Sequence, residues 1–406
     1  MTTDWLSSVD GVTPVTPLSN PFSAGFLAPP NKPAERVQLG QNLNIVDRGN
    51  KSNAYTQQWN FGVQRELPGN MVLEVAYAAN KGTRLPTAID FNQLDPRYQA
   101  LGQDLNTRIG NPFFGLVSTG GLSASTVARG QLLRPYPQYL SVSNNNPSRW
   151  SNAANSIYHS MTVRAEKRFT HGINFVAAYT RGKVIDEATA RIFGVNFAQV
   201  PQNNYDLRAE RALSEGDVKN RLVLNHTIDL PFGRGKKLAS GAPRALDLLI
   251  GGWSASGQLT MVSGFPLALG STGNSGVFGG RLRPNATGKS ALLTGRIQDR
   301  LNRYFDTSQF SIPPAFTFGT LGRTLNDVRA PGLNAYDIAL SKRFVIREPL
   351  GILFRVESFN LTNTPFFGGS NSPYGSPGQT LGNPDFGTIS AARNERQFQF
   401  SLKVQW

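Results

Sequence analysis

The sequence predicts an all-β protein, a partial antiparallel transmembrane β-barrel of about nine strands with long extracellular loops and short periplasmic turns. Three observations predict this fold class. Apolar and polar residues alternate along nine separate stretches, as in strands with one apolar face. The connections between these stretches alternate between short and long. The 406 residues include 41 glycines and 26 prolines, which leave little room for long helices.

The segment before the first stretch, residues 1–54, is predicted to be irregular. Six prolines between positions 14 and 33 interrupt every possible helix or strand. The first residues carry neither the basic region nor the apolar run of a secretory signal peptide. We expect either that the protein stays inside the cell or that this chain lacks its true beginning.

The strands are predicted to begin at Tyr55, where Tyr55, Trp59, Phe61 and Val63 alternate with polar residues. Each stretch has about 9–12 residues, close to the length that a tilted strand needs to cross the hydrocarbon of a membrane. Their apolar positions fall within 55–63, 71–77, 157–163, 173–179, 222–230, 253–261, 336–340, 352–356 and 398–406.

Four long connections are predicted at about 86–155, 183–216, 265–332 and 362–394. Short turns separate them, except for one connection of medium length after residue 230. A soluble sandwich has no reason to collect all its long loops at one end, whereas outer-membrane barrels have short periplasmic turns and long external loops. The first and ninth strands then run from outside to inside, which leaves Trp406 at the periplasmic rim.

Hydropathy, cysteine content and charge exclude other classes. The chain has no run of about 18 apolar residues, so a membrane protein made of helices is excluded. It has no cysteine, which removes disulfides, thiol catalysis and cysteine-based metal sites. The net charge of +15 suggests nucleic acid or an anionic membrane as partner. The basic residues are dispersed rather than clustered with aromatic residues, so we expect no nucleic-acid partner.

Basic pairs recur near the short turns, at 167–168, 236–237 and 342–343. On a barrel this position is the periplasmic rim. We expect these cations to be solvated there or to meet lipid phosphates or an acidic partner surface.

No catalytic, cofactor-binding or metal-binding residue is predicted, and the chain is expected not to be an enzyme. His159 is placed in the third strand, His171 in a turn and His226 in the fifth strand, a spacing that does not favour a joint metal site. The sequence GKS at 288–290 lacks the glycine that a phosphate loop needs at position 283.

Two acidic groups fall in predicted loops and could at most bind a cation weakly. They are Asp186 with Glu187, and Glu215 with Asp217. We expect both groups to be solvated.

A series of short motifs extends along residues 40–406. In chain order they are YTQQWN at 55–60, QRELPGN at 64–70, VAY at 75–77, NKGT at 80–83, DLPFGRGK at 229–236, GGW at 251–253, SGFP at 263–266, RAPG at 329–332, DIALSKRF at 337–344, RVESFNLTN at 355–363, FGTI at 386–389 and RQFQF at 396–400, before the terminal Trp406.

In this order the motifs resemble the C-terminal β-barrel part of TonB-dependent outer-membrane receptors of the Oar-like group. The resemblance implies a location in the cell outer membrane and the binding and import of a nutrient. It implies two partners, outer-membrane lipid and the barrel-assembly machinery, which reads the C-terminal strand. A TonB-type energy coupler would act only if a plug is supplied elsewhere. The ligand would be an unknown small molecule or peptide.

The chain differs from a full receptor of this family in its domains and in its number of strands. A full receptor has a signal peptide, an N-terminal regulatory-like domain, a plug and about 22 strands, whereas residues 55–406 offer about nine strands. An open sheet would leave two unpaired edges in lipid. We therefore expect the chain to be a fragment or a truncated reading frame.

Two other functional classes fit the same pattern. One is a surface adhesin-like or structural outer-membrane barrel that transports nothing. The other is a soluble β-rich binding module whose apolar faces pack inside the protein. For a barrel, we expect the four long connections to be mobile loops that carry recognition on a rigid scaffold.

Overall fold

The computed structural model describes residue 19 and residues 39–45, 52–117, 120–143, 151–187, 200–273, 280–347, 350–368 and 376–406. Within these residues, nine long strands form one antiparallel sheet in which each strand pairs with the next along the chain. The strands are β1 (Tyr55–Leu67), β2 (Met71–Thr87), β3 (Ser151–Thr170), β4 (Ile173–Asp186), β5 (Asn220–Asp229), β6 (Trp253–Val262), β7 (Leu333–Arg347), β8 (Leu350–Phe359) and β9 (Gln397–Gln405).

These nine strands are the nine that the alternating pattern predicts, but some are longer than expected. β2 has 17 residues and β3 has 20. A tilted strand crosses the hydrocarbon in about 9–11 residues. Both strands therefore extend well beyond the bilayer, and the predicted first loop begins later and ends earlier than its sequence suggested.

The register places the predicted apolar residues on one face of the sheet, because directly paired residues of neighbouring strands point to the same side. Two rows of paired residues illustrate this. One row runs Val63, Val75, Val163, Tyr179, Leu222 and Met261, and the other runs Ala255, Leu340, Val356 and Phe400. Much of this face is open, with Phe61 69% and Phe400 68% exposed.

The opposite face carries polar groups that bond to one another. Arg164 on β3 pairs with Glu166 at 2.6 Å and lies 3.8 Å from Glu74 on β2. The hydroxyls of Thr162 and Thr180 are 3.0 Å apart across β3 and β4. The sheet therefore has one apolar and one polar face, as expected of a barrel wall between lipid and a wet interior.

The short connections all lie at one end of the sheet. Residues 68–70 join β1 to β2, residues 171–172 join β3 to β4, and residues 348–349 join β7 to β8. His171 and Gly172 have φ values of 55° and 77°, which a two-residue hairpin turn needs to match the twist of its strands.

The sheet is open among the described residues, because β1 and β9 each pair on one side only. Part of the segment before β1 also has regular structure. Asn42–Asn44 forms a short parallel strand with Ser141–Ser143 of the first long connection, and the Gly40 amide donates to the carbonyl of Gln138 at 2.9 Å. The rest of the predicted irregular segment lies largely outside the described residues.

Shorter elements lie mainly in the connections. The short strands are Asn42–Asn44, Arg108–Gly110, Thr126–Ala128, Ser141–Ser143, Ala212–Leu213, Gly270–Ser271, Asn285–Ala286, Phe310–Ser311, Phe366–Gly368, Thr380–Leu381 and Ala391–Arg393. The helices are α1 (Arg129–Leu132), α2 (Arg244–Ile250) and the 3₁₀ segments Pro96–Asn106, Leu207–Glu210, Ile297–Arg300 and Thr307–Gln309. No helix in the described parts of the chain has the length and apolar character to span a bilayer.

Candidate functional site in a folded cap of long loops

The four long connections lie together at the end of the sheet opposite the short turns. They are loop 1 (88–150), loop 2 (187–219), loop 3 (263–332) and loop 4 (360–396). Their described residues, with residues 39–45, are called the cap below. Among the described residues, the largest fully buried side chains lie in the cap, so it is a folded unit with its own core.

The main hydrophobic core of the cap joins loops 3 and 4. Phe305 is fully buried, and its ring meets Phe310 and Phe386 edge to face with centroids 5.9 and 5.3 Å apart. Such edge-to-face contacts add to the gain from burial. The buried members of this core are Leu267, Leu269, Ala291, Tyr304, Phe305, Phe310, Leu325, Val328, Ala330, Phe367 and Ile389.

Two smaller hydrophobic clusters extend the core into loop 1. Leu94 and Leu105 pack with Phe316 of loop 3, and all three are almost completely buried. Val117, Leu122 and Val127 form the other cluster, against which Leu39 also packs. Loop 1 is therefore attached to loop 3 and to the segment before β1.

Two buried glutamines connect three loops through hydrogen bonds. The Gln93 side chain donates to the carbonyl of Gln202 at 2.8 Å and accepts from the Asn204 amide at 2.5 Å. The Gln202 side chain accepts from the Arg283 amide at 2.8 Å and donates to the Gly319 carbonyl at 3.0 Å. Buried polar groups cost free energy unless they are bonded in this way.

Three arginines of loop 3 pair with acidic residues around loop 2. Arg283 pairs with Glu210, Arg323 pairs with Asp186 at the end of β4, and Arg329 pairs with Asp217 at 2.5 Å. Arg283 and Glu210 are both more than nine-tenths buried. The three pairs hold loops 2 and 3 against each other.

These contacts correct the expectation of solvation for Asp186, Glu187 and Asp217, whereas Glu215 is half-buried. Asp217 is 1% exposed in its ion pair, and Asp186 is bonded to Arg323. Glu187 pairs with Arg211 at 3.3 Å. These three carboxylates pair with arginines, and no group of three or more metal-ligating residues occurs within the described part of the chain. The packed cap also replaces the expected set of separate mobile loops.

Aromatic and charged side chains form a patch at the surface of the cap, the Arg97 patch, which consists of Asp95, Arg97, Tyr98 and Tyr205. The Arg97 guanidinium lies over the Tyr98 ring at 4.8 Å and donates to the Tyr98 hydroxyl at 3.0 Å. That bond raises the pKa of Arg97. Partial burial, followed by the charge of Asp95, raises the pKa of Tyr205. Arg97 is 70% exposed, so a ligand can reach it.

Other titratable groups of the cap hold the fold. Hydrogen bonds from Gln309, Ser308 and Arg303 keep the pKa of the Asp306 carboxyl far below its usual range. Burial raises the pKa of Tyr304, whose hydroxyl donates to the carbonyl of Arg329 at 2.8 Å. These groups already have protein partners.

The three histidines lie where the sequence places them, in β3, in the turn after it and in β5. His159 Nδ1 is 2.6 Å from the Tyr77 hydroxyl, and His226 Nε2 is 2.9 Å from the Tyr336 hydroxyl. These two pairs lie on different strands, and each histidine is bonded to a tyrosine.

The glycine-rich sequences GKS at 288–290 and GRGK at 233–236 also have structural roles. Ser290 donates to the Asp327 carboxylate at 2.5 Å, so the GKS sequence is part of the cap fold. The GRGK sequence at 233–236 forms a turn.

Comparison with known proteins identifies the family. The model of the outer membrane beta barrel domain family matches residues 2–399, and the chain therefore belongs to this family. The search of the curated proteins gave no match. Membership confirms the predicted fold class and the location in the outer membrane, and it excludes a soluble β-rich module.

Three solved structures share a partial likeness. They are the outer membrane transporter YddB from Escherichia coli, the ferric preacinetobactin receptor BauA from Acinetobacter baumannii and the ferric-catecholate import receptor Fiu from Escherichia coli K12. Identities are 11%, 11% and 9%, with TM-scores of 0.41, 0.34 and 0.36. The matches cover 90%, 86% and 89% of this chain and 34%, 29% and 30% of theirs. The chain thus spans about a third of the length of these structures.

Proposed function

We propose that this chain is part of a TonB-dependent receptor that binds a nutrient at its cap and imports it across the outer membrane. The observation that carries the proposal is the folded cap at the external end of the barrel wall. A cap with its own core, buried glutamines and three ion pairs holds its surface groups in fixed positions. Fixed positions reduce the ordering cost of binding a ligand.

The Arg97 patch supports a role in recognition. It combines an exposed cation with two tyrosines contributed by loops 1 and 2. Arginine and tyrosine are common in binding surfaces because each offers a broad planar contact and hydrogen bonds. The proposed ligand is a small molecule or peptide that offers an anionic or aromatic group to this patch.

Import would require partners that act on the rest of the receptor. In this proposal, an inner-membrane energy coupler of the TonB type acts on a plug supplied outside the described sheet. The barrel-assembly machinery recognises β9 and its terminal Trp406. The polar groups of the cap serve binding and folding, and the protein has no catalytic role.

The second candidate is a surface adhesin-like barrel without transport. The compact core of the cap favours it, because a rigid external unit can also hold another surface. Both candidates place binding at the cap. They differ in whether a nutrient crosses the membrane and whether crossing consumes energy.

A depletion experiment tests the proposal. Cells lacking the gene and cells carrying it are grown in the same medium, and the nutrients removed from the medium are measured by mass spectrometry. We expect one nutrient to be depleted only by cells that carry the gene. The double substitution Arg97→Ala and Tyr205→Ala should reduce its depletion several-fold at an unchanged level of surface protein.

Removal of the energy coupler completes the test. Import should stop while binding of the same nutrient at the cell surface persists. Depletion that continues without the coupler would contradict energised import. Equal depletion by both strains, with a difference only in adhesion, would support the adhesin-like candidate instead.

A further inference from the structure

The connection between β5 and β6 differs from the other connections at the short-turn end. It runs over residues 230–252 and contains the seven-residue helix α2. Because the long loops are external, this connection lies at the periplasmic rim. From the sequence alone, only a connection of medium length is predicted here.

Helix α2 is attached to the lipid-facing side of the sheet. The Trp253 indole donates to the Leu249 carbonyl at 2.8 Å, and the Lys342 ammonium donates to the Leu248 carbonyl at 2.6 Å. Trp253 and Lys342 are directly paired and share a face with Leu340. The C-terminal end of the helix therefore rests on the face that meets hydrocarbon.

Lys342 is not the solvated rim cation that the sequence predicts. Its side chain is buried, and its ammonium lies 5.7 Å from the centre of the Trp253 ring and 5.0 Å from that of Phe344. A cation at the carbonyl end of a helix is stabilised by the helix dipole. Lys342 thus fixes α2 against the barrel wall.

The turn before α2 also fits closely against it. Gly233 has a φ of 112°, and a Cβ there would lie 2.6 Å from both Asp247 Oδ1 and Gly251 Cα. The Asp247 carboxylate in turn accepts from the Arg234 amide at 2.7 Å. A side chain at position 233 would force the turn and the helix apart.

Although α2 is attached to the sheet, three of its leucine side chains are exposed. Leu246, Leu248 and Leu249 are 43%, 60% and 71% exposed. Phe232 and Leu238 in the preceding turn are also exposed. Contiguous exposed apolar side chains indicate a contact surface, and this one continues the apolar face of the sheet at its periplasmic edge.

The charge of the connection favours an anionic surface. Arg234, Lys236, Lys237 and Arg244 are all exposed, and Asp247 is the sole acidic residue in residues 230–252. A short helix with exposed leucines beside basic residues is typical of segments that lie in the membrane interface. Each basic residue near an anionic lipid surface adds to the attraction.

We propose that the α2 segment, residues 230–252, lies in the headgroup region of the periplasmic leaflet and binds anionic phospholipid there. The leucines enter the boundary of the acyl chains, and the four basic side chains meet lipid phosphates. Lys342 and Trp253 hold the segment at a fixed depth on the barrel wall. The segment thereby sets the position of the barrel along the membrane normal.

Site-directed spin labelling tests the location. The chain has no cysteine, so Leu249→Cys gives a single labelling site in this 406-residue chain, inserted in phospholipid vesicles. The accessibility of the label to oxygen, which concentrates in hydrocarbon, and to a water-soluble nickel chelate then reports the depth of the label in the membrane. Leu402→Cys on the lipid face and Gln103→Cys on the cap are the hydrocarbon and water references.

We expect the label at 249 to show an oxygen-to-nickel accessibility ratio between those at 402 and 103. A ratio equal to that at 103 would place the helix in water and overturn the proposal. Low accessibility to both reagents would mean that a protein covers the helix, which also overturns it. Lys342→Met should move the ratio at 249 towards that of water, because only the Trp253 hydrogen bond then attaches the helix to the sheet.

A second measurement tests the preference for anionic lipid. A fluorescent label at Leu249→Cys is exposed to vesicles that contain either brominated phosphatidylglycerol or brominated phosphatidylcholine at equal mole fraction. We expect several-fold stronger quenching by the anionic lipid. The substitutions Lys236→Gln, Lys237→Gln and Arg244→Gln leave only Arg234 of the four basic residues and should remove most of the difference between the two lipids. Equal quenching in the parent protein would overturn the binding of anionic lipid.

Discussion

The cap and the sheet of this protein bury their residues in opposite ways. The ten largest fully buried side chains of the described residues all belong to loops 1 and 3. On the sheet, by contrast, large apolar residues such as Phe61, Phe400 and Leu402 are mostly exposed. The cap therefore has the interior of a water-soluble protein, while the sheet has its apolar side chains on the outside.

The difference follows from the two solvents that surround the chain. In hydrocarbon, apolar side chains gain nothing from an interior, whereas unpaired backbone groups cost several kcal/mol each, so the sheet is organised around its hydrogen-bond ladder. In water, burying apolar area is the main source of stability. One chain thus uses two folding strategies, and substitutions should have different effects in the two regions.

The largest effect is expected from Phe305→Ala in the core of the cap. Removing a fully buried phenylalanine should cost the cap about 3–5 kcal/mol, because it leaves a cavity between Phe310 and Phe386. Hydrogen exchange of the cap amides should accelerate strongly, while the sheet keeps its resistance to unfolding in detergent. Phe400→Ala on the lipid face is the matched control and should leave cap exchange unchanged. Loss of the sheet together with the cap would show that the two regions are not independent.

The second-largest effect is expected from breaking the buried ion pair between Arg283 and Glu210. Arg283→Met leaves the Glu210 carboxylate without its partner in a buried site, at a cost of about 3 kcal/mol to the cap. The Arg323 side chain still donates to the Glu210 backbone carbonyl at 3.0 Å, which keeps loops 2 and 3 partly joined. Proteolysis within loop 2 should become faster. Arg97→Met, at an exposed pair, serves as the comparison, and equal proteolysis of the two variants would contradict the role of burial.

A charge on the lipid face of the sheet should have a somewhat smaller effect. Leu402→Arg places a cation near the middle of β9 and should destabilise the barrel by about 2–4 kcal/mol, less if the residue lies nearer the rim. Gln399→Arg on the polar face lies opposite Glu357 and should be nearly neutral. Unfolding in urea from vesicles compares the two variants. Equal destabilisation by the two substitutions would mean that both faces of the sheet are in contact with the same solvent.

The smallest effect is expected from Glu74→Gln on the polar face. The Glu74 carboxylate is 3.8 Å from Arg164, both side chains are more than a third exposed, and Arg164 keeps its closer partner Glu166. Such exposed pairs contribute about 0–1 kcal/mol. The urea midpoint of the barrel should hardly move. A loss as large as that of Leu402→Arg would show that the polar face is not hydrated.

The sheet could be predicted from the sequence because its signals are local. The alternation of Tyr55, Trp59 and Phe61 marks an apolar face without reference to any other strand, and a slip by one residue would expose the wrong face to lipid. Short turns fix each strand to its neighbour. The register that pairs Phe61 with Tyr77 follows from the turn at 68–70.

The cap could not be predicted in the same way. Leu94, Leu105 and Phe316 form one cluster, yet more than 200 residues separate the first from the last. No periodic pattern links them, and the glycine-rich and asparagine-rich segments between them are typical of loops. The alternation of connection lengths predicted long loops there, but it contains no information on how they pack.

Helix α2 and Lys342 illustrate the same limit at the other end of the barrel. A run of three leucines within seven residues is too short to define a helix by its pattern. Lys342 stands at a lipid-facing position in β7, where the sequence indicates a charged rim. Its partners are backbone carbonyls about 95 residues earlier, which only the packing of the connection brings to it.

Local sequence patterns are sufficient to predict the nine strands, their apolar and polar faces, and the end of the sheet at which the long loops lie. These features depend on neighbouring residues and on the requirement that backbone groups in lipid be paired. Three features became visible only in the folded protein: the core of the cap, the partners of its buried charges and the position of α2 on the barrel wall. Each feature brings together side chains that are distant in sequence. These contacts stabilise the protein only after the loops have packed against one another.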